Sequence, residues 1–356
     1  MADALRSTPS GGLVLVTGGA GYFGSLLVHR LLERGRPVRI FDLNDAPDQP
    51  PGVELVQGDI RDREAVARAC RGVHTLHHNV AQVPLAKDVD RFWSVNCDGT
   101  RNLLETALEA GVQKVIHTSS SAVFGVPPRN PVDDTVAPRP QEEYGRAKLA
   151  AEELCHTWIQ RGLDVSIVRP RTILGHGRLG IMQILFEWIR GGHNVPVMGR
   201  GDNLYQFVHA DDLAEACLLA AARPGPAIYN VGAEVFGTLR ETLEGLIAHA
   251  GTGSRIVSLP MTPAVRLMEL TSRLGWSPLG AYHSLMYGQS MYFDLTRLKL
   301  ELGWKARHSN LEMFCESYDW YLAHREEVLR QRGASYHRSA VDQGILRWVS
   351  RGLDLL

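Results

Sequence analysis

The sequence predicts an α/β fold built on a doubly wound parallel sheet. Three observations carry that expectation. Short apolar runs alternate with helix-period segments from Leu13 to about Gly175, the pattern that strand–helix–strand units leave in a chain. The first apolar run ends in a bend with glycines at Gly18, Gly21 and Gly24. The second ends in an acid, Asp42.

The first strand is Leu13 to Val16, followed by Thr17-Gly18-Gly19-Ala20-Gly21-Tyr22-Phe23-Gly24 and a helix with Leu26, Leu27, Leu31 and Leu32 apolar. Strand, glycine bend and helix in that order let the backbone approach a pyrophosphate, with free N–H groups of the helix start turned toward it. Gly18, Gly21, Tyr22, Phe23 and Gly24 are therefore expected dinucleotide contacts, and the domain is of Rossmann type. Pro37 to Asp42 reads as the second strand. A carboxylate there accepts hydrogen bonds from ribose hydroxyls and repels a 2′-phosphate, so Asp42 favours NAD over NADP. The competing reading is a turn-initiating aspartate, and Arg39 nearby could soften the discrimination.

Val53 to Ile60 reads as the third strand, with Asp59 and Ile60 at the adenine edge of the site. A helix is expected over Arg63 to Cys70 and a fourth strand over Val73 to Asn79. Val80 and Ala81 lie at its carboxyl end, where an open sheet binds ligands, with Gln82 turned toward substrate. His77 and His78 are adjacent on a strand and face opposite ways, so they are not read as metal ligands. Arg91 to Ala110 has helical periodicity and closes on Gly111. Val112 to Thr118 is the next strand. It runs into Ser119-Ser120-Ser121, a loop of prolines and acids, and a helix from Tyr144 to Gly162.

Tyr144 and Lys148 stand four residues apart, on one helix face. A nearby ammonium favours phenolate and is expected to lower the tyrosine pKa, which makes the phenol usable as acid and base for a secondary alcohol or ketone. A serine from the preceding strand end can hold the substrate oxygen. The runs Thr17–Gly24, Ser120-Ser121-Ala122-Val123-Phe124-Gly125 and Tyr144-Gly145-Arg146-Ala147-Lys148 resemble the extended short-chain dehydrogenases/reductases. That group holds nucleotide-sugar epimerases and dehydratases together with 3β-hydroxysteroid dehydrogenase-like enzymes. The resemblance spans roughly residues 12 to 325. It implies Ser120 as substrate-oxygen donor, Tyr144 as acid/base, and Lys148 as pKa modulator and nicotinamide-ribose ligand. It also implies Asn96, Pro170 and Thr172 beside the cofactor, and a homodimer pairing the helices near 91–110 and 144–161.

Residues 13–175 are thus expected to form the NAD domain, and 176–333 mainly a smaller interleaved substrate lobe that returns to the sheet near 205–235. Asp211 or Asp212 would cap the helix opening at Ala210. Thr172 stands where nucleotide-sugar epimerases carry asparagine, and Tyr205 where they carry an arginine that clamps pyrophosphate. Both are candidate substrate contacts, with Gln82 and Ser121. Arg171, His176, Arg178 and Arg200 could instead supply an anion site, so the substrate class stays open between a hydrophobic alcohol and a nucleotide sugar.

Net charge is −1, which gives no electrostatic reason to expect nucleic acid. The five cysteines are scattered without C-x-x-C pairing, suiting reduced thiols and a cytoplasmic protein rather than a disulfide frame or zinc site. Residues 1–12 read as a disordered leader. Residues 334–356 form an amphipathic tail, with Ile345, Leu346, Val349 and Leu353 at helical spacing. Docking of that tail on protein is expected in preference to peripheral membrane contact. Three function readings are weighed: an oxidoreductase exchanging hydride with an external alcohol or ketone, an epimerase or dehydratase recycling bound NAD, and a non-catalytic NAD-binding scaffold.

Overall fold

The computed structural model describes residues 11–46, 49–82, 88–178, 180–274, 276, 285–330 and 354. Its centre is a parallel sheet formed by β1 (Leu13–Thr17), β2 (Val38–Asp42), β3 (Glu54–Gln57), β4 (Val73–His78), β5 (Lys114–Thr118), β6 (Val165–Pro170) and β10 (Ala227–Val231). The seven strands lie in the order β10-β6-β5-β4-β1-β2-β3. The chain steps from β1 outward to β2 and β3, then crosses to β4 on the other side. The crevice at the carboxyl ends of β1 and β4 is thus the topological switch point, where an open sheet takes its ligand.

Helices cover both faces because these strands are apolar on both sides, as parallel strands are. On one face α1 (Tyr22–Glu33) packs beside α7 (Ala210–Ala222), burying Leu27, Val28, Leu213 and Cys217. On the other face α2 (Arg63–Cys70), α4 (Gly99–Glu109) and α5 (Glu143–Gln160) bury Val66, Leu103, Leu104 and Trp158. Four cysteines are buried, Cys315 is half-buried, and all five are free thiols.

The second lobe holds two small sheets, β7 (Thr172–Leu174) with β9 (Phe207–His209) and β8 (Val195–Met198) with β11 (Ile256–Leu259). Around them lie α6 (Ile181–Arg190), α8 (Leu239–Ala250), α9 (Met261–Arg273), α10 (Thr296–Leu302) and α11 (Asn310–Arg330). Phe186, Phe207, Phe314, Tyr318 and Tyr321 form the lobe's core. Among the described residues the return to the large sheet is made by β10, because β9 pairs with β7 in the small sheet.

Three local expectations are corrected. The third strand is shorter than residues 53–60, ending at Gln57. The segment near 91–110 is not one regular helix. It is α3 (Val89–Trp93), a π-helical turn over Ser94–Asp98, and then α4. The cap of α7 is neither Asp211 nor Asp212 but His209, whose Nδ1 accepts the Asp211 N–H at 3.2 Å. Those two acids are used elsewhere: Asp211 pairs with Arg30 at 2.8 Å, and Asp212 accepts the backbone N–H groups of Arg307 and His308. No described helix is long and apolar enough to cross a membrane. The leader up to Ser10 and nearly all of the tail lie outside the described residues.

Candidate active site

The glycine bend is forced by close approach. Gly18 has φ +70°, a region L side chains avoid, and its N–H reaches the Phe41 carbonyl at 2.8 Å. A Cβ on Gly24 would lie 2.0 Å from the Gly18 carbonyl oxygen, so α1 can pack this close only without a side chain there. Gly21 caps α1 with no side-chain hydrogen bond, and no acid stands in the first turn. The first N–H groups and the positive end of the helix dipole are therefore left for phosphate. Phe23 is buried in the core behind this bend, and Ile60 in the core on the other face of the sheet, against Gly99.

At the end of β2 the Asp42 carboxylate accepts the N–H of Ala20 and of Asn44, each at 3.0 Å. It ties the bend to the second strand and keeps further lone pairs for ribose hydroxyls. Arg39 is not available to a 2′-phosphate. Its guanidinium is held by Glu54 at 2.8 Å and by the carbonyls of Ala69 and Arg71. Asp59 is gripped by the Arg61 side chain at 2.9 and 2.6 Å, which holds its carboxyl below the usual range.

The π turn has a purpose that sequence spacing does not reveal. It aims the buried Asn96 side chain at the segment after β4, where Oδ1 accepts the Gln82 N–H at 2.7 Å and Nδ2 donates to the Gln82 carbonyl at 3.1 Å. Asn96 thus pairs with Gln82 as a neighbouring strand would, fixing Val80, Ala81 and Gln82 at the rim of the crevice. Insertion of a π turn at a functional position is a recurring device. His78 is committed to structure as well, through Thr17 at 2.9 Å and Thr100 at 2.9 Å.

Across the crevice, Glu142 caps α5 by accepting the N–H groups of Tyr144 and Gly145. Tyr144 is buried and hydrogen-bonded to Ser120, which itself accepts the Ala122 N–H at 3.2 Å. Lys148 is fully buried one turn further on, and its Nζ donates to the Thr118 carbonyl at 2.9 Å. The three expected residues therefore converge on one wall. Their electrostatics differ from expectation, because burial pushes the Tyr144 phenol up to about 12 while the Ser120 hydrogen bond pulls it back in part. Burial likewise pushes Lys148 down to about 8. Desolvation of the phenolate is the larger effect, and Lys148 is directed by its hydrogen bond toward the Thr118 carbonyl.

Among the remaining expected contacts, Ser121 is buried and accepts from Arg171 Nη1 at 2.7 Å, which makes it a brace behind the site. Thr172 Oγ1 and the buried Tyr205 hydroxyl lie 3.4 Å apart, beside the Arg171 guanidinium that rests 4.6 Å over the Tyr205 ring. Pro170 ends β6 and pairs with Val231. Arg200 is exposed and paired with Asp202. His176, His209 and Glu316 cluster, their ligand atoms within 4.8 Å of one another. His209 Nδ1 already accepts a backbone N–H, so in the neutral ring the other nitrogen carries the proton; it lies 3.2 Å from a Glu316 oxygen without hydrogen-bond geometry.

The sequence signature of the NAD dependent epimerase/dehydratase family matches residues 14–232. The chain belongs to that family. It is 52% identical to an uncharacterized protein of Sinorhizobium fredii over 96% of this chain and 86% of the relative. It is 40% identical to sterol demethylase protein B of Methylococcus capsulatus, covering 86% of this chain and 97% of the relative. Identity to the 3 beta-hydroxysteroid dehydrogenase/Delta 5-->4-isomerase of Mycobacterium tuberculosis H37Rv is 31%, covering 94% and 96%. Among solved structures, the UDP-glucose 4-epimerase of Thermus thermophilus in complex with NAD superposes with a TM-score of 0.71 at 27% identity, covering 87% of this chain and 99% of that one. NAD is the cofactor. The uncapped start of α1, the glycine cradle that a Cβ would fill and the Asp42 carboxylate all fit it.

Proposed function

We propose that this protein is an NAD(H)-dependent oxidoreductase acting on a secondary alcohol or ketone of largely apolar, sterol-like character. The observation that carries the reading is the wall formed by Ser120, Tyr144 and Lys148, opposite the glycine cradle. When bound, NAD would supply the hydride acceptor, and NADH the hydride donor. Ser120 holds the substrate oxygen by hydrogen bond. In the oxidising direction Tyr144 takes the hydroxyl proton as the carbon gives up hydride; in the reducing direction its phenol donates that proton to the carbonyl oxygen. A phenol held protonated at neutral pH is ready for the reducing step. For the oxidising step, Lys148, one helix turn from Tyr144, supplies the positive charge that favours phenolate. The steroid-acting names of the two functionally described relatives, together with Thr172 and Tyr205 at the substrate side, support this reading over a nucleotide sugar.

The competing reading keeps the hydride inside the protein, as an epimerase or dehydratase does, and the UDP-glucose 4-epimerase likeness favours it. Purified protein separates the two. Nicotinamide absorbance is followed while 3-hydroxysteroids and UDP-sugars are offered with added NAD. Stoichiometric NADH with the steroid is expected. UDP-sugar conversion with no net NADH, on nicotinamide that survives gel filtration, would contradict it.

The protein is further proposed to act as a homodimer through α3, α4 and α5, where Trp93 and Leu108 are large exposed apolar residues.

A further inference from the structure

Four basic residues, Arg171, His176, Arg178 and Arg200, were singled out by sequence as a possible anion site, and two of them have acidic partners. Arg200 pairs with Asp202 and His176 lies 3.1 Å from Glu316, whereas Arg171 is buried with Nη1 on Ser121 and its guanidinium packed over Tyr205 and Phe293, its Nε and Nη2 without hydrogen-bond partners. Arg178 differs from Arg171 in lying over the Tyr22 ring, beside the glycine cradle. Among the described residues no carboxylate lies within ion-pair distance of it, and its Nη1 is shut off from water without a hydrogen-bond partner. Arg178 is half-buried, and an Nη1 withdrawn from water with no partner or counter-ion is a cost that an arriving anion offsets. Burial pushes its pKa down to about 10, the direction expected of a cation lacking its anion.

Its position says which anion. Arg178 is tethered by its N–H to Gly175 (3.1 Å) and by Nε to the Ile173 carbonyl (3.2 Å). From there the guanidinium carbon lies 5.5 Å from the Tyr22 ring centroid. Tyr22 is the first residue of α1, beside the glycine cradle, and its hydroxyl donates to the His176 carbonyl at 3.2 Å. The loop carrying Arg178 is therefore latched to the start of α1. The guanidinium is also close enough to interact electrostatically with Tyr144 on the opposite wall. It stands between the pyrophosphate cradle and the phenol that faces the reacting end of the cofactor.

We propose that Arg178 is a cofactor-binding residue, reaching from the second lobe across the crevice to hold the nicotinamide-side phosphate of the NAD pyrophosphate. The glycine bend and the α1 start hold the adenine-side phosphate, and Arg178 supplies charge-assisted hydrogen bonds to the other. The assignment requires only that NAD occupies the crevice, and stands whether the substrate is a steroid or a nucleotide sugar.

The test is equilibrium binding of AMP, ADP, ADP-ribose and NAD to the full-length protein and to Arg178→Gln and Arg178→Lys, by calorimetry. AMP carries only the adenine-side phosphate. Arg178→Gln should weaken ADP, ADP-ribose and NAD about tenfold and leave AMP within about twofold, with Arg178→Lys in between. Raising salt should weaken ADP less in Arg178→Gln than in the parent. Unchanged ADP and NAD affinities would overturn the proposal, as would equal losses for AMP and ADP. So would a variant whose only defect is a raised KM for a charged substrate, which would assign the anion to substrate. Arg178→Lys guards against a folding defect, since it keeps the charge and the stem. Failure of the parent to bind NAD at all would instead strike at the cofactor itself.

Discussion

At the scale of single residues, chemistry that depends on near neighbours in sequence was legible. Tyr144 and Lys148 share a helix face, and Ser120 lies at a strand end. Each position followed from local spacing, and the structure brings all three to one wall. The balance of charge among them was not legible, because it depends on what surrounds them in space. Burial, not lysine, dominates the Tyr144 phenol. The histidines make the same point about stability. His77 and His78 are fully buried and burial pushes both down to about 3, against 6.5 in the unfolded chain. Between those values the unfolded chain binds a proton that the folded one refuses. Stability is therefore complete above pH 6.5 and lost as pH falls toward 3, by about 2 kcal/mol per histidine at pH 5. Both ring nitrogens of His77 lack partners, unlike those of His78. His77→Leu should therefore fold at least as stably at pH 7. Its loss of stability from pH 7 to 5, read from urea unfolding, should be smaller than the parent's by about 2 kcal/mol. An identical pH dependence would show that His77 titrates normally.

At the scale of elements, the strand–glycine–helix start and the parallel sheet could be read from periodicity and glycine spacing, since each is fixed by local geometry. The π turn over Ser94–Asp98 could not, because hydrophobic period alone does not distinguish one extra residue in a turn. Nor could the His209 cap: it became visible only once Asp211 and Asp212 had found Arg30, Arg307 and His308. The π turn gives Asn96 its two hydrogen bonds to Gln82. Asn96→Ala leaves the half-buried N–H and C=O of Gln82 without these partners, at a cost of about 1 kcal/mol. The expected result is a lower unfolding midpoint together with weaker NAD binding, because the rim at Val80 and Ala81 loosens. Stability lost with NAD affinity intact would separate the clamp from the cofactor site.

At the scale of the whole molecule, the division into a cofactor domain and an interleaved lobe follows from β10 returning to the large sheet beside β6. The tail is tied to the lobe at one described point, where Asp354 accepts from Asn194 N–H at 2.9 Å and lies 2.7 Å from His193 Nδ1. Deleting residues 339–356 should lower the thermal midpoint, and Asp354→Asn should reproduce a smaller part of that loss. A truncated protein of unchanged stability that no longer sediments with vesicles would assign the tail to membranes instead. In the proposed reading, the assembly holds a buried phenol, Tyr144, against the reacting ring of NAD. The most direct test compares the parent with Tyr144→Phe in single-turnover formation of NADH from a 3-hydroxysteroid, with NAD affinity measured on both. The account predicts a loss of about 10²–10⁴-fold in rate with NAD affinity unchanged. A Tyr144→Phe protein that forms NADH at the parent's rate would contradict it.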